Sequence, residues 1–183
     1  MISRAVILAT LSALLAAPAM AQPAQTSPVK KKPAAAASKT AAPKAIGAFD
    51  DWIAATHEEA GQPVCYAFTR AQNSIPAVPG RGAVILTVTQ RVSGRDAVAI
   101  EAGFAFAPNA TVNVQADQTG LDFYTDKRAA FARNGHEAVT AFRAAARAVA
   151  RSPGPHEVTV TDTFSLKGFT AAYEAISKAC PAK

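Results

Sequence analysis

The chain has 183 residues, 50% of them hydrophobic, with 19 Lys+Arg, 13 Asp+Glu and two cysteines. The basic excess is uneven: Arg4, Lys30, Lys31, Lys32, Lys39 and Lys44 open the chain, and beyond Lys44 13 basic residues face 13 acidic ones. A formally neutral remainder removes charge as an argument for nucleic-acid binding, and the high pI belongs to the leading segment.

Residues 1–21 read as a secretory signal peptide. Arg4 supplies the basic n-region, Ala5 to Ala17 an apolar core, and Ala19-Met20-Ala21 the small-x-small pattern that places the cut after Ala21. The apolar run is too short to span a bilayer. No cysteine lies near the cut, so no lipid anchor is expected. Residues 22–45 are rich in Ala, Pro and Lys and predict a disordered, extended tether. Its Lys30-Lys31-Lys32 run offers weak electrostatic contact with anionic polymers, and a soluble spacer is the plainer account. Residues 46–183 then form a single β-rich domain, large enough for a real core.

In chain order, Ala48 to Ala54 predicts a short opening strand containing the only tryptophan, Trp52, and Val64 to Phe68 a second. Asn73 to Gly82, with Pro76, Pro79, Gly80 and Gly82, reads as a loop. Ala83 to Val92 is apolar enough for a central strand. Turns at Ser93 to Asp96, Pro108-Asn109 and Asp117 to Gly120 separate strands over Ala97 to Ala107, Thr111 to Ala116 and Leu121 to Thr125. Short strands with turns at near-regular spacing indicate antiparallel β architecture.

Ala129 to Ala150 supports two readings. One helix could run from His136 to Ala150 with Val139, Phe142, Ala146 and Val149 inside. Alternatively the helix ends near Ala145, and Arg147 to Ser152 is a strand that turns at Pro153-Gly154-Pro155 and pairs with Glu157 to Ser165. The second is favoured, because Pro-Gly-Pro suits a tip between two runs and Val158 to Phe164 needs a neighbour. After the Lys167-Gly168 junction, apolar residues at 169, 172, 173, 176 and 180 mark one face of a helix. The expected fold is mainly β: an antiparallel β-sandwich or partly open barrel, with a short internal helix and a C-terminal helix packed on the sheet.

Cys65 and Cys180 in an exported chain predict a disulfide ahead of a metal site or a catalytic thiol. Neither has a histidine beside it in sequence. The other motifs fail on inspection. His136-Glu137 begins H-E-x-x-H, but Thr140 occupies the second histidine's place, and His57-Glu58-Glu59 fails likewise. His57, His136 and His156 are expected in loops or helix starts, exposed to solvent. No serine sits in G-x-S-x-G, and Gly80-Arg81-Gly82 is too short to cradle phosphate. Asp50 and Asp51 are adjacent and would face opposite ways on a strand. No catalytic, cofactor-binding or metal residue is assigned, and no cofactor is expected. Phe123 and Tyr124 are also adjacent, so one ring should face away from the core and mark a contact surface.

From about Ile46 to Cys180 the chain resembles the invasion-associated locus B family of exported alphaproteobacterial envelope proteins. The resemblance rests on F-D-D-W (Phe49 to Trp52), V-C-Y-A (Val64 to Ala67), R-G-A-V-I-L-T-V (Arg81 to Val88) and above all D-T-F-S-L-K-G-F-T-A-A-Y-E-A-I-S-K-A-C (Asp162 to Cys180). The family's opening has glycine before Asp-Trp, where this chain has Asp50. The resemblance implies a periplasmic or outer-envelope, or secreted, protein, mostly β with a C-terminal helix. Some members are linked to host-cell invasion, and no catalytic residues carry over. Two functional expectations follow. The first is a non-enzymatic envelope protein acting through protein or surface contacts, its partner an unidentified protein or a host or envelope surface. The second is a periplasmic small-ligand carrier or enzyme with a cavity between sheet and C-terminal helix.

Overall fold

The computed structural model describes residues 42–182. The expected leader, the cut after Ala21 and the Lys30-Lys31-Lys32 run lie outside the described residues. Eleven strands and two helices follow one another: β1 (Lys44–Phe49), β2 (Trp52–Glu59), β3 (Gln62–Arg70), β4 (Asn73–Ile75), β5 (Ile85–Arg91), β6 (Gly94–Glu101), β7 (Thr111–Ala116), β8 (Thr119–Asp126), β9 (Ala129–Ala132), α1 (Gly135–Ala144), β10 (Arg147–Pro153), β11 (Thr159–Ser165) and α2 (Phe169–Ala179). The strands form one sheet in the order β1-β2-β3-β5-β6-β9-β8-β7-β10-β11-β4. Every neighbouring pair is antiparallel, and β1 and β4 are its free edges, so the sheet is not closed into a barrel.

The opening differs from expectation. Ala48 to Ala54 is not one strand but the tip of the β1–β2 hairpin, with Phe49 opposite Trp52 and Asp50 in the left-handed region at φ 48°. Aspartate tolerates that conformation, and two adjacent acids have no buried face to continue a strand. The expected strand over Ala97 to Ala107 ends at Glu101. Gly103 takes φ 76° there, and Phe104 leaves the ladder to join Ala102 and Val160 in a small second core. β4 lies within the stretch that reads as a loop, and β9 is a four-residue strand inside the ambiguous one. For that stretch the helix-then-strand reading holds: α1 stops before Ala145, and β10 pairs with β11 from Arg147↔Ser165 to Pro153↔Thr159.

Both halves of the sheet face one core. Leu86, Val88 and Ile100 from one side meet Val112, Phe123, Ala148 and Phe164 from the other. The two helices fill it where their backbones can approach. A Cβ at Gly135 would overlap the Asp96 carbonyl, so glycine lets α1 begin against the β5–β6 turn. Gly168, at φ 88°, abuts the Phe49 carbonyl and aims α2 across β1, β2 and β3. The stripe Phe169, Ala172 and Ile176 is fully buried, with Tyr173 at its margin. Phe169 meets Trp52 edge-on at 4.9 Å and Phe142 at 5.6 Å, and Trp52 Nε1 donates to the Ser165 carbonyl at 3.0 Å. Such pairs add about 0.5–1.5 kcal/mol each beyond the area they bury.

The loop before β5 is fastened by a buried ion pair. Arg81 donates from Nη1 and Nη2 to the two carboxylate oxygens of Asp162 at 2.8 and 2.7 Å, and from Nε to the Ala102 carbonyl at 2.6 Å. Ser74 Oγ donates to the same carboxylate at 2.7 Å, and the guanidinium lies over the Phe104 ring at 4.8 Å.

Candidate functional site

On the sheet face turned away from the core, cross-strand register assembles a row that no single segment contains. Ile53, Phe68, Thr87, Ala99, Phe131 and Tyr124 stand directly opposite one another along β2, β3, β5, β6, β9 and β8. Residues directly opposite share a face, and their inward neighbours Trp52, Ala67, Leu86, Ile100, Ala130 and Phe123 are buried. Ile53 is 45% and Tyr124 44% exposed.

The row has two aromatic banks. Tyr66 stacks on Phe68 at 6.1 Å and meets the His57 ring at 5.4 Å. Tyr124 stacks on Phe131 at 5.5 Å, with the Arg133 guanidinium 5.8 Å above it. Between them Thr87, Thr89, Ala97 and Ala99 form a low saddle, three strand spacings or ~14 Å wide. Beside the first bank a hollow of about 280 Å³ is lined by Asp51, Ile53, Phe68, Thr69, Arg70, Ala71 and Gln72.

Phe123 and Tyr124 divide as adjacent strand residues must. Phe123 is core, and Tyr124 is the outward ring. Cys65 and Cys180 are bonded, with Cα atoms 5.9 Å apart, so neither is a free thiol. The histidines are less uniform than expected. His57 belongs to β2, half-buried against Tyr66, with Nε2 3.0 Å from Glu59 Oε1. His156 is in a 3-10 turn at φ 57°, and His136 near the start of α1 has an 84% exposed side chain. Asp50 and Asp51 sit at a hairpin tip, not on a strand. Among the described residues, no group of three or more His, Cys, Asp or Glu is placed to hold a metal ion, and no helix is long and apolar enough to cross a membrane.

A polar cluster that sequence reasoning missed ties the β5–β6 turn to both helices. Asp96 Oδ1 accepts from Gln90 Nε2 at 2.7 Å and from the Tyr173 hydroxyl at 2.8 Å, and Oδ2 lies 3.3 Å from His136 Nδ1. Burial opposes ionisation of Asp96, yet the hydrogen bonds from Gln90, Tyr173 and His136 outweigh it and hold the carboxyl below its usual range. Burial first, and then the Asp96 carboxylate, push the Tyr173 phenol up. An ionised acceptor facing a protonated donor makes a fixed latch, not a proton-transfer pair poised near pH 7.

The latch makes stability acid-sensitive. A carboxyl whose folded-state pKa lies below its unfolded one stabilises fully above the unfolded value, and that contribution is lost as pH falls through the folded one. Asp96→Asn keeps Oδ1 and tolerates the φ of 55° at this position. At pH 7 it should cost about 1–3 kcal/mol, the worth of hydrogen bonds to a charged group. In urea titrations the gap between wild type and variant should shrink from pH 7 to pH 3. An unchanged gap would show that the charge on Asp96 contributes nothing.

No family model matches the chain, and no curated protein matches it in sequence. Among solved structures it is similar to the crystal structure of invasion associated protein B from Bartonella henselae. The TM-score is 0.52 at 16% sequence identity, covering 73% of this chain and 95% of that one. At that identity the likeness establishes a shared fold: an open antiparallel sheet with two helices, here pinned by a disulfide.

Proposed function

We propose that this chain is an exported, non-enzymatic envelope protein of the invasion-associated locus B type, which acts by presenting the Ile53–Tyr124 row to a protein partner. The observation that carries the reading is the row itself: two aromatic banks flanking a flat saddle, outward on six neighbouring strands. Exposed aromatic and aliphatic groups gathered on one face are how protein-contact sites differ from scattered surface residues. The fold likeness to the Bartonella henselae protein supports the type. The buried disulfide supports an oxidising compartment. The carrier alternative needs space under α2, but Phe169, Ala172 and Ile176 are fully buried there. That favours contact over enclosure.

Site-specific photocrosslinkers test the reading. Placed at Ile53 and Tyr124 of the full chain in the cell envelope, they should give discrete adducts, and one at Lys178 should give none. The Ile53→Ser, Tyr124→Ser double variant should change stability by no more than about 1 kcal/mol, as exposed substitutions do. It should also lose association with the crosslinked partner. Absence of adducts at both row positions would remove the contact site. Hydrolytic turnover abolished by one point substitution would remove the non-enzymatic assignment.

A further inference from the structure

The other half of the sheet carries a face of opposite character. On β10, Arg147, Val149 and Arg151 alternate outward, with Ala148 and Ala150 in the core. Register sets Gln115 opposite Val149 and Asn113 opposite Arg151 on the β7 side, and Thr163 and Thr161 opposite them on the β11 side. A hollow of about 500 Å³ opens over this region, lined by Gln115, Asp117, Gln118, Arg147, Val149 and Arg151. That is within the range of small-ligand sites. The two guanidiniums hang from Cα positions four residues apart on one strand, ~13–14 Å.

Neither arginine forms an ion pair among the described residues. The one carboxylate in the lining is Asp117, whose Oδ2 accepts the Ala146 N–H at 2.8 Å. Gln115 Nε2 donates to the Asp117 carbonyl at 3.0 Å, which fixes that amide on the wall.

We propose that this hollow binds an acidic oligosaccharide, with Arg147 and Arg151 each taking a carboxylate and the side-chain amides of Gln115 and Gln118 taking sugar hydroxyls. Guanidinium forks match carboxylates bidentately, and such charge-assisted bonds are about twice as strong as neutral ones. The chemistry of the face selects among anionic partners. None of these outward positions is aromatic, so no base can stack, which disfavours a nucleic acid as the anion. Val149 is the single apolar group in the lining, too little to anchor a peptide or enter a lipid surface. The site is separate from the aromatic row and does not depend on what that row contacts.

The experiment is calorimetric titration of the full exported chain with a hexameric oligogalacturonate at low salt. The Arg147→Gln, Arg151→Gln double variant serves as comparison. Both proteins keep the lysine-rich tether, so the difference between them reads the two arginines. The wild type should bind saturably, and the double variant about tenfold or more weaker, because each arginine supplies the charge-assisted pairing to one carboxylate. The methyl-esterified hexamer should bind the wild type as weakly as the acid binds the variant. Amide NMR shifts on titration should localise to Gln115, Gln118 and Val149. The assignment is overturned by absence of wild-type binding, by equal affinity of the double variant, by equal affinity for the methyl ester, or by tighter binding of an oligothymidylate of equal charge.

Discussion

Replacing Arg81 with methionine should destabilise the folded chain by about 3–5 kcal/mol, the cost of stripping one partner from a buried ion pair. The Arg81 side chain is 5% exposed and that of Asp162 0%. Without Arg81, the Asp162 carboxylate keeps only the Ser74 hydroxyl, and the Ala102 carbonyl is left without its donor. Methionine replaces the apolar stem of Arg81 but supplies neither its hydrogen bonds nor the guanidinium that lies over Phe104. Arg81→Lys should recover little, because an ammonium cannot bond both carboxylate oxygens and the carbonyl from one fixed plane. The informative variant is Arg81→Met combined with Asp162→Leu. Removing both charges leaves no unpaired carboxylate, so the double variant should be more stable than Arg81→Met alone despite its second substitution. The buried Trp52, the only tryptophan, reports unfolding in a urea titration. Arg81→Met within 1 kcal/mol of the wild type would show that solvent reaches Asp162 and that the pair is dispensable.

How much of this was legible in the chain depends on how far apart in sequence the partners lie. The strands over 85–91, 111–116 and 159–165 and the helix over 169–179 each carry their own period, so they could be read locally. The division of Phe123 and Tyr124 followed from alternation alone. The misreadings arose where local pattern and tertiary demand diverge. Ala97 to Ala107 keeps an apolar rhythm, but the Ala102 carbonyl is taken by Arg81 and the chain turns at Gly103. Asn73-Ser74-Ile75 becomes a strand because β11 offers it an edge and Asp162 binds Ser74. F-D-D-W reads as continuous strand until Gly168, more than a hundred residues later, presses on the Phe49 carbonyl.

The candidate sites were the least legible parts. Tyr124 could be found, but Phe131, Phe68 and Ile53 join it only through a register summed over five strand pairs. The Gln90–Asp96–Tyr173 latch spans 77 residues between its carboxylate and its phenol, and no spacing rule links them. Arg147 and Arg151 were readable as the outer positions of a strand. That they border a hollow depends on β7 lying alongside.

Cys180→Ser should cost about 2–5 kcal/mol, as removal of a native disulfide does in small secreted domains. The bond joins the middle of β3 to the end of α2 across a separation of 115 residues. Loops near that length carry ~4–5 kcal/mol of closure entropy in the chain-entropy model. In the folded state Cys180 caps α2, donating its N–H to the Ile176 carbonyl at 2.9 Å while its own carbonyl accepts from Arg95 Nη1. Both are backbone contacts on the α2 side, and serine can keep them, so the loss should reside mainly in the unfolded chain. Phe169 and Ala172, two to three turns upstream, keep their packing, and accelerated amide exchange should be confined to the last turn of α2. Reductant should lower wild-type stability by a similar amount and leave the variant unchanged. Mass spectrometry without reductant should find the wild type two hydrogens lighter than its thiol form. A wild type that unfolds at the same urea concentration with and without reductant would show that Trp52, Phe142 and Phe169 hold α2 unaided.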